Sequence, residues 1–127
     1  MILGIGCDIC DINRIEKLIE SQKEKFLKRV FTFSERERSL KKHHPAASFA
    51  KIFAAKEALV KALGEATDIS WQDIEVVKNQ HGRPEVVLHG PAHQTAMRLA
   101  DSNYSLHLSL SDEPPYAMAY AIFCKVV

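Results

Sequence analysis

Two carboxylates and a lysine carry the first chemical signal in this sequence. Glu57 and Lys61 stand four residues apart in a stretch, Pro45–Leu63, whose apolar positions recur at helical spacing. Both side chains therefore leave the same side of one helix. Taken alone, the pair reads as a surface ion pair worth well under about 1 kcal/mol. Its neighbours on that side include Ala50, Ala54 and Ala58, and small residues leave room for something bulky against the helix. Asp8 ends a run, Ile2–Asp8, that reads as a strand. Leu3, Ile5 and Cys7 fall on one side; Ile2, Gly4, Gly6 and Asp8 fall on the other. The two glycines leave the Asp8 side bare, so another group can approach the backbone closely there. An acid in that place is either a turn residue or a ligand at a strand end. Together, Asp8 and Glu57 would hold a hard cation. Mg2+ takes oxygen donors, typically one or two carboxylates with waters and substrate phosphates. Lys61, one turn from Glu57, would suit a phosphate.

The remaining reactive residue types say less. His107 lies on the polar side of an alternating run, Tyr104–Ser111, with Ser105 and Ser109. It lines a pocket or is an ordinary half-exposed strand histidine. His89 and His93 have helical spacing, but Pro91 puts His89 ahead of the helix. His43 and His44 precede Pro45 in a loop, and no thiol or acid is placed to complete a zinc set with them. Cys7 and Cys10 form a C-x-x-C with no second copy, and Cys10 precedes the next helix rather than opening it. With Cys124 the cysteines number three, an odd count that makes no disulfide framework. The start, Met1–Asp8, lacks the basic region of a signal peptide. Both features predict a reducing, cytoplasmic setting.

The chain has 127 residues, 46 % hydrophobic and 26 % charged, which fits one globular domain over 1–127 with a single core. A net charge of +1 excludes a nucleic-acid binder that works by bulk charge. No run approaches about 18 consecutive apolar residues, so no membrane-spanning segment is expected, and no membrane is counted among the expected partners. The charge is unevenly spread. Residues 14–42 hold ten Lys/Arg and five Asp/Glu, a surplus of +5, while each flank is net acidic by two. Such a stretch is a solvated helix face or a dock for an acidic partner. Its aromatic residues, Phe26, Phe31 and Phe33, have core-like spacing, which argues against a nucleic-acid surface.

The elements that must position these groups follow from caps and periodicity. Asp11 caps a helix running to about Glu20, and a second helix covers Glu24–Val30. Thr32-x-x-Glu35 has capping-box spacing. Pro45 opens the longest helix and Gly64 stops it. Ser70–Lys78 and Glu85–Leu88 read as strands joined by the turn Asn79–Pro84, followed by a helix over Pro91–Asp101. Tyr104–Ser111 and Tyr116–Val126 close the chain as strands around Pro114-Pro115. The sum is an α+β fold: a mostly antiparallel sheet packed on a long helix and shorter helices.

Five segments, in order, resemble one family. Gly4-Ile-Gly-Cys-Asp8 through Arg14-Ile15 is similar to the opening motif of the holo-acyl-carrier-protein synthases, a branch of the 4′-phosphopantetheinyl transferases. Phe31-Thr32-Phe33-Ser34-Glu35 resembles their F-T-x-x-E element, and Phe53-Ala-Ala-Lys56-Glu57-Ala58 through Gly64 resembles their most distinctive helix. Trp71–Glu75 with Gly82-Arg83-Pro84, then His107–Ser111 with Tyr116–Ala119, resemble the later strands.

The resemblance implies transfer of the 4′-phosphopantetheine arm of coenzyme A to a serine of apo acyl carrier protein, in support of fatty acid biosynthesis. It implies Mg2+ on Asp8 and Glu57, with Glu57 and Lys61 catalytic. It implies that Lys56, Lys61, Gly64 and His107 meet coenzyme A and that Arg14 meets the carrier protein. It also implies a homotrimer with sites between subunits. The serine proton has two routes in this picture, a metal-bound water or Glu57 acting through one. The rival reading is a relative without catalysis that holds an acidic protein on the basic 14–42 face. Three departures from the family pattern stand out: Ile52 where many members carry Arg, a shorter loop after Gly64, and Asp112 where many carry His.

Overall fold

The computed structural model describes residues 1–65 and 68–127. Three antiparallel strands, β1 (Ile2–Asp11), β5 (Tyr116–Lys125) and β4 (Tyr104–Glu113), form one sheet in that spatial order. This sheet lies on the long helix α4 (Pro45–Leu63). A second antiparallel pair, β2 (Ile74–Lys78) and β3 (Pro84–Leu88), extends from the β4 side. Helices α1 (Ile12–Gln22), α2 (Glu24–Val30) and α3 (Phe33–Leu40) lead from β1 to α4, and α5 (Gly90–Leu99) joins the two sheets in sequence. The expected α+β class and antiparallel pairing are what form, as two sheets rather than one.

Local chemistry sets the boundaries. The Asp11 carboxylate accepts the Asn13 N–H at 2.9 Å and starts α1. Thr32 and Glu35 make a full capping box, so the Thr-x-x-Glu signal opens a complete helix, α3, that reaches Leu40. Gly64 ends α4 at φ +78°, a left-handed conformation that glycine adopts without steric cost. Three expectations shift. β1 continues past Asp8 to Asp11 because Ile9–Asp11 keep pairing with Met118–Tyr116. Ser70–Lys78 is not one strand: the Ser70 N–H binds the Asp73 carboxylate at 3.0 Å and Trp71–Asp73 wind into a 3₁₀ turn. That local side-chain bond competes with extension, and the strand begins only at Ile74. Phe33, read as core, is 70 % exposed, because it opens α3 on the outward side.

The contact between β1 and α4 is unusually close. A Cβ added to Gly4 would overlap the Ala62 carbonyl oxygen, and one added to Gly6 would overlap that of Ala58. Backbone therefore rests on backbone. Next to β1, the same sheet face carries Ala117, Ala119 and Ala121, all fully buried. The group admitted by the bare glycines is α4 itself. Ala58, read as leaving room for something bulky, receives the strand. The opposite face of the sheet remains open, with Ile5, Ile9, Met118 and Tyr120 exposed.

On another side of α4 the core holds an ion pair. Lys56 and Glu35 are both fully buried. Lys56 Nζ donates to Glu35 Oε1 at 2.8 Å, to the Val30 carbonyl at 2.7 Å and to the Trp71 carbonyl at 2.9 Å. Glu35 also accepts the Thr32 N–H at 2.8 Å and the Val76 N–H at 2.7 Å. One pair thus ties α4 to the end of α2, the start of α3, the 3₁₀ turn and β2. Burial pushes the Lys56 pKa down, and the Glu35 charge pulls it back up.

Removing one partner strands the other charge. Lys56→Met should destabilise the protein by about 3–5 kcal/mol in urea unfolding. The double variant Glu35→Gln/Lys56→Met should recover much of that loss, because neither charge remains buried. A single variant as stable as the wild type would contradict this role.

Candidate active site

The β1–α4 contact brings the two sequence-identified carboxylates to one place. Asp8 lies on β1 opposite Ala119, on the face that packs against α4. Glu57 projects from α4, half-buried, close enough to feel the Asp8 charge. Lys61, one turn further on, donates to Asp8 Oδ1 at 3.3 Å and to the Cys7 carbonyl at 2.9 Å. Arg14, in the first turn of α1, acts electrostatically on Glu57 and lies 6.0 Å from the Phe53 ring centre. Asp8, Glu57, Lys61 and Arg14 therefore form one cluster.

Its electrostatics are unbalanced. Burial raises the Glu57 pKa and the negative charge of Asp8 raises it further, while Lys61 and Arg14 pull it back. Two neighbouring carboxylates that resist sharing negative charge are the donor set a hard cation relieves. Among the described residues no third His, Cys, Asp or Glu joins them. The protein thus supplies two oxygen-bearing side chains and no closed cage. That fits Mg2+, which keeps waters and substrate phosphates in its other positions. Zinc, which is held by three or four side chains, does not fit.

The other expected site residues divide. Gly64 caps α4 one turn beyond Lys61, and open space surrounds the position where its side chain would be. The shortened loop that follows includes Ala66 and Thr67, which lie outside the described residues. Lys56 does not face the cluster. Its three hydrogen bonds all go to buried protein acceptors, which leaves no donor for a phosphate and corrects the cofactor contact expected of it. His107 is not brought to Asp8 and Glu57 within one chain. It faces the other side of the sheet, beside a cleft of about 440 Å³ that also involves Arg83, Glu85 and Ser109. Asp112 pairs with Lys51 at 3.0 Å rather than joining the carboxylates. Cys7 is exposed and Cys10 buried, on opposite faces of β1, so the C-x-x-C spacing does not bring the thiols together. Burial lifts the Cys10 thiol to about 11, far from a reactive thiolate.

Sequence reading missed two features. The first is the buried Glu35–Lys56 pair; the signal was Lys56 lying on the apolar side of its helix with Phe49, Ile52, Phe53 and Val60. The second is a cleft of about 430 Å³ where Arg38, Lys42, Lys51 and Lys78 converge over Ile52, with Asp112 at its wall. Desolvation lowers the Lys78 pKa, and repulsion from Lys42, Arg38 and Lys51 adds to it. These cations come from three segments, the end of α3 with Lys42, α4 and β2, so no single local pattern announces them. Ile52, where a family arginine was missing, is 4 % exposed and forms part of the cleft's apolar floor.

Paired acids open to a cation, with an ammonium beside them, are equipment for handling phosphate groups. The model of the 4′-phosphopantetheinyl transferase superfamily matches residues 4–121, and the chain belongs to that superfamily. Within it, the chain is similar to the holo-[acyl-carrier-protein] synthase of Methylorubrum populi: 44 % identical over 126 aligned positions, covering 96 % of this chain and 93 % of that protein. The crystal structure of holo-[acyl-carrier-protein] synthase from Neisseria meningitidis superposes with a TM-score of 0.86 at 32 % identity, covering 98 % of this chain and 100 % of that one. The Helicobacter pylori holo-[acyl-carrier-protein] synthase, solved in complex with coenzyme A, gives a TM-score of 0.80 at 32 % identity, covering 94 % and 99 %. Among the described residues no helix is long and apolar enough to cross a membrane.

The raised Glu57 pKa has a sign that can be measured. The folded state holds that proton more tightly than the unfolded chain, so ionisation costs stability. The cost is absent below the ordinary glutamate pKa and complete above the raised one. In chelator-treated protein, Glu57→Gln should raise the melting temperature at neutral pH, and the gain should shrink as pH falls through the carboxylate range. A variant less stable than the wild type at neutral pH would contradict the assignment.

Proposed function

We propose that this chain is a holo-[acyl-carrier-protein] synthase. It moves the 4′-phosphopantetheine group of coenzyme A to a serine of apo acyl carrier protein and releases adenosine 3′,5′-bisphosphate. The observation that carries this reading is the Asp8–Glu57–Lys61 cluster, in a chain aligned almost end to end with relatives bearing that name. The whole 1–127 stretch acts as one transferase domain, in the cytoplasm.

Asp8 and Glu57 would hold Mg2+, which when bound neutralises and orients the pyrophosphate oxygens of coenzyme A. The residues of the chain do the rest. The carrier serine Oγ bonds to the phosphorus that bears pantetheine, and the bond from that phosphorus to the bridging oxygen breaks. The Glu57 carboxylate, beside Asp8, accepts the serine proton through one water. The Lys61 ammonium meets the negative charge that grows on the departing nucleotide phosphate. Gly64, beyond the last turn of α4, leaves space for the cofactor beside it. Positioning and electrostatics supply most of the acceleration in such transfers.

Incubation of the protein with apo acyl carrier protein, coenzyme A and Mg2+ tests this directly. The carrier should gain the mass of phosphopantetheine on its serine. Asp8→Ala and Glu57→Ala should each remove at least about 99 % of the rate while circular dichroism stays native. An unmodified carrier would favour the non-catalytic binding reading.

Arg14 lies beside Glu57 and borders a groove with Asp11, Asn13, Lys17, Leu18 and Ser21. We assign this end of the basic 14–42 stretch to the acidic carrier protein. Charge at such a surface acts on encounter more than on chemistry. Arg14→Glu should raise KM for the carrier about tenfold or more and leave KM for coenzyme A nearly unchanged. Equal damage to both would remove Arg14 from the dock.

The open sheet face supports a homotrimer. Ile5, Ile9, Met118 and Tyr120 form an exposed apolar patch, and His107 stands on the same face, away from the carboxylates of its own chain. A neighbouring subunit packed there would cover the patch and bring His107 toward another subunit's coenzyme A. Light scattering should give three times the chain mass; a fully active monomer would refute the assembly.

A further inference from the structure

Lys61 does more in this structure than stand ready for a phosphate. Its ammonium sits in a cradle of two hard oxygens, the Cys7 carbonyl at 2.9 Å and Asp8 Oδ1 at 3.3 Å. Those are the kinds of donor a divalent cation takes. One belongs to the carboxylate assigned to the metal. A cation is therefore already present at the Asp8 end of the pair, supplied by the chain. The contact is also of a kind that exchanges easily. The Lys61 side chain is 55 % exposed, and partly solvated ion pairs are weak. Asp8 is only 18 % exposed, so its carboxylate benefits from keeping some cation beside it. The helix fixes the stem of Lys61 one turn from Glu57, within reach of either Asp8 or a phosphate beside the pair.

We propose that Lys61 is an internal latch on the cation site. In the cofactor-free protein it holds Asp8 and opposes divalent binding. The phosphates of coenzyme A draw it away, because a phosphate carries more charge and more acceptor oxygens than one carboxylate. Asp8 is then free for Mg2+. Metal and coenzyme A consequently bind with positive coupling, and each tightens the other by the same factor. The functional consequence is that the free protein does not accumulate metal without the substrate whose phosphates the metal must meet. This inference rests on the transferase reading.

Mn2+ serves as the probe, titrated into the intact, coenzyme-free protein and followed by electron paramagnetic resonance of the unbound ion. Lys61→Met removes the ammonium at nearly equal length. Lys61→Arg keeps a cation there. Arg14→Gln removes a charge that acts on the cluster from outside the cradle. Lys61→Met should bind Mn2+ about fivefold or more tightly than the wild type. Lys61→Arg should stay near the wild type. Arg14→Gln should change affinity by about twofold or less at roughly 0.15 M salt, since that charge acts only through space. Coenzyme A should tighten Mn2+ binding in the wild type more than in Lys61→Met.

If Lys61→Met and the wild type bind Mn2+ alike, or Arg14→Gln gains as much as Lys61→Met, the latch is wrong. A wild type that still converts apo to holo carrier leaves the transferase reading standing in that case. Absence of both carrier modification and Mn2+ binding in every variant overturns the two together.

Discussion

The site depends on one contact, the seating of the β1 backbone on the backbone of α4. Gly4 and Gly6 face the Ala62 and Ala58 carbonyls with no space for a Cβ. That approach decides how near Asp8, two residues beyond Gly6, comes to Glu57, one residue before Ala58. Larger residues on either element would hold the strand off and separate the acids. The buried alanines of β5 continue the same thin layer across the sheet. Small side chains are used here to fix a distance between two charged ones.

The neighbouring positions Lys56 and Glu57 put the helix to two uses. About 100° of rotation separates consecutive residues, so one side chain enters the core while the next reaches the cluster. Lys56 satisfies its hydrogen-bonding inside, against Glu35 and two carbonyls. Glu57 keeps a raised pKa beside Asp8. The buried pair anchors α4 to α2, α3 and β2; the glycine contact anchors it to β1. The cluster lies on a helix held from both sides, which suits a reaction whose acceleration comes from positioned charge.

Much of this was legible in the residues. Caps and stops are local events, so Asp11, Thr32, Pro45 and Gly64 marked helix ends that the structure repeats. Asp8, Glu57 and Lys61 were identifiable because strand alternation and helical spacing fix where a side chain points. What their faces would meet was not legible. The glycine face was read as open to another group and Ala58 as leaving room for something bulky, and Gly6 and Ala58 proved to meet each other. Lys56 was read by its charge, although its place among Phe49, Ile52 and Val60 already put it on the buried side. The basic cleft and the Lys51–Asp112 pair join residues far apart in sequence, so only the tertiary fold brings them together.

The most direct test of the central contact is the carrier-modification rate of Gly6→Ala, measured per folded molecule. The added methyl must push β1 from α4 and shift Asp8 relative to Glu57. A displacement near 1 Å at a catalytic group costs about a hundredfold in rate, and a loss of that size is the predicted result. A Gly6→Ala protein that modifies the carrier at the wild-type rate would contradict the claim that this backbone contact builds the site.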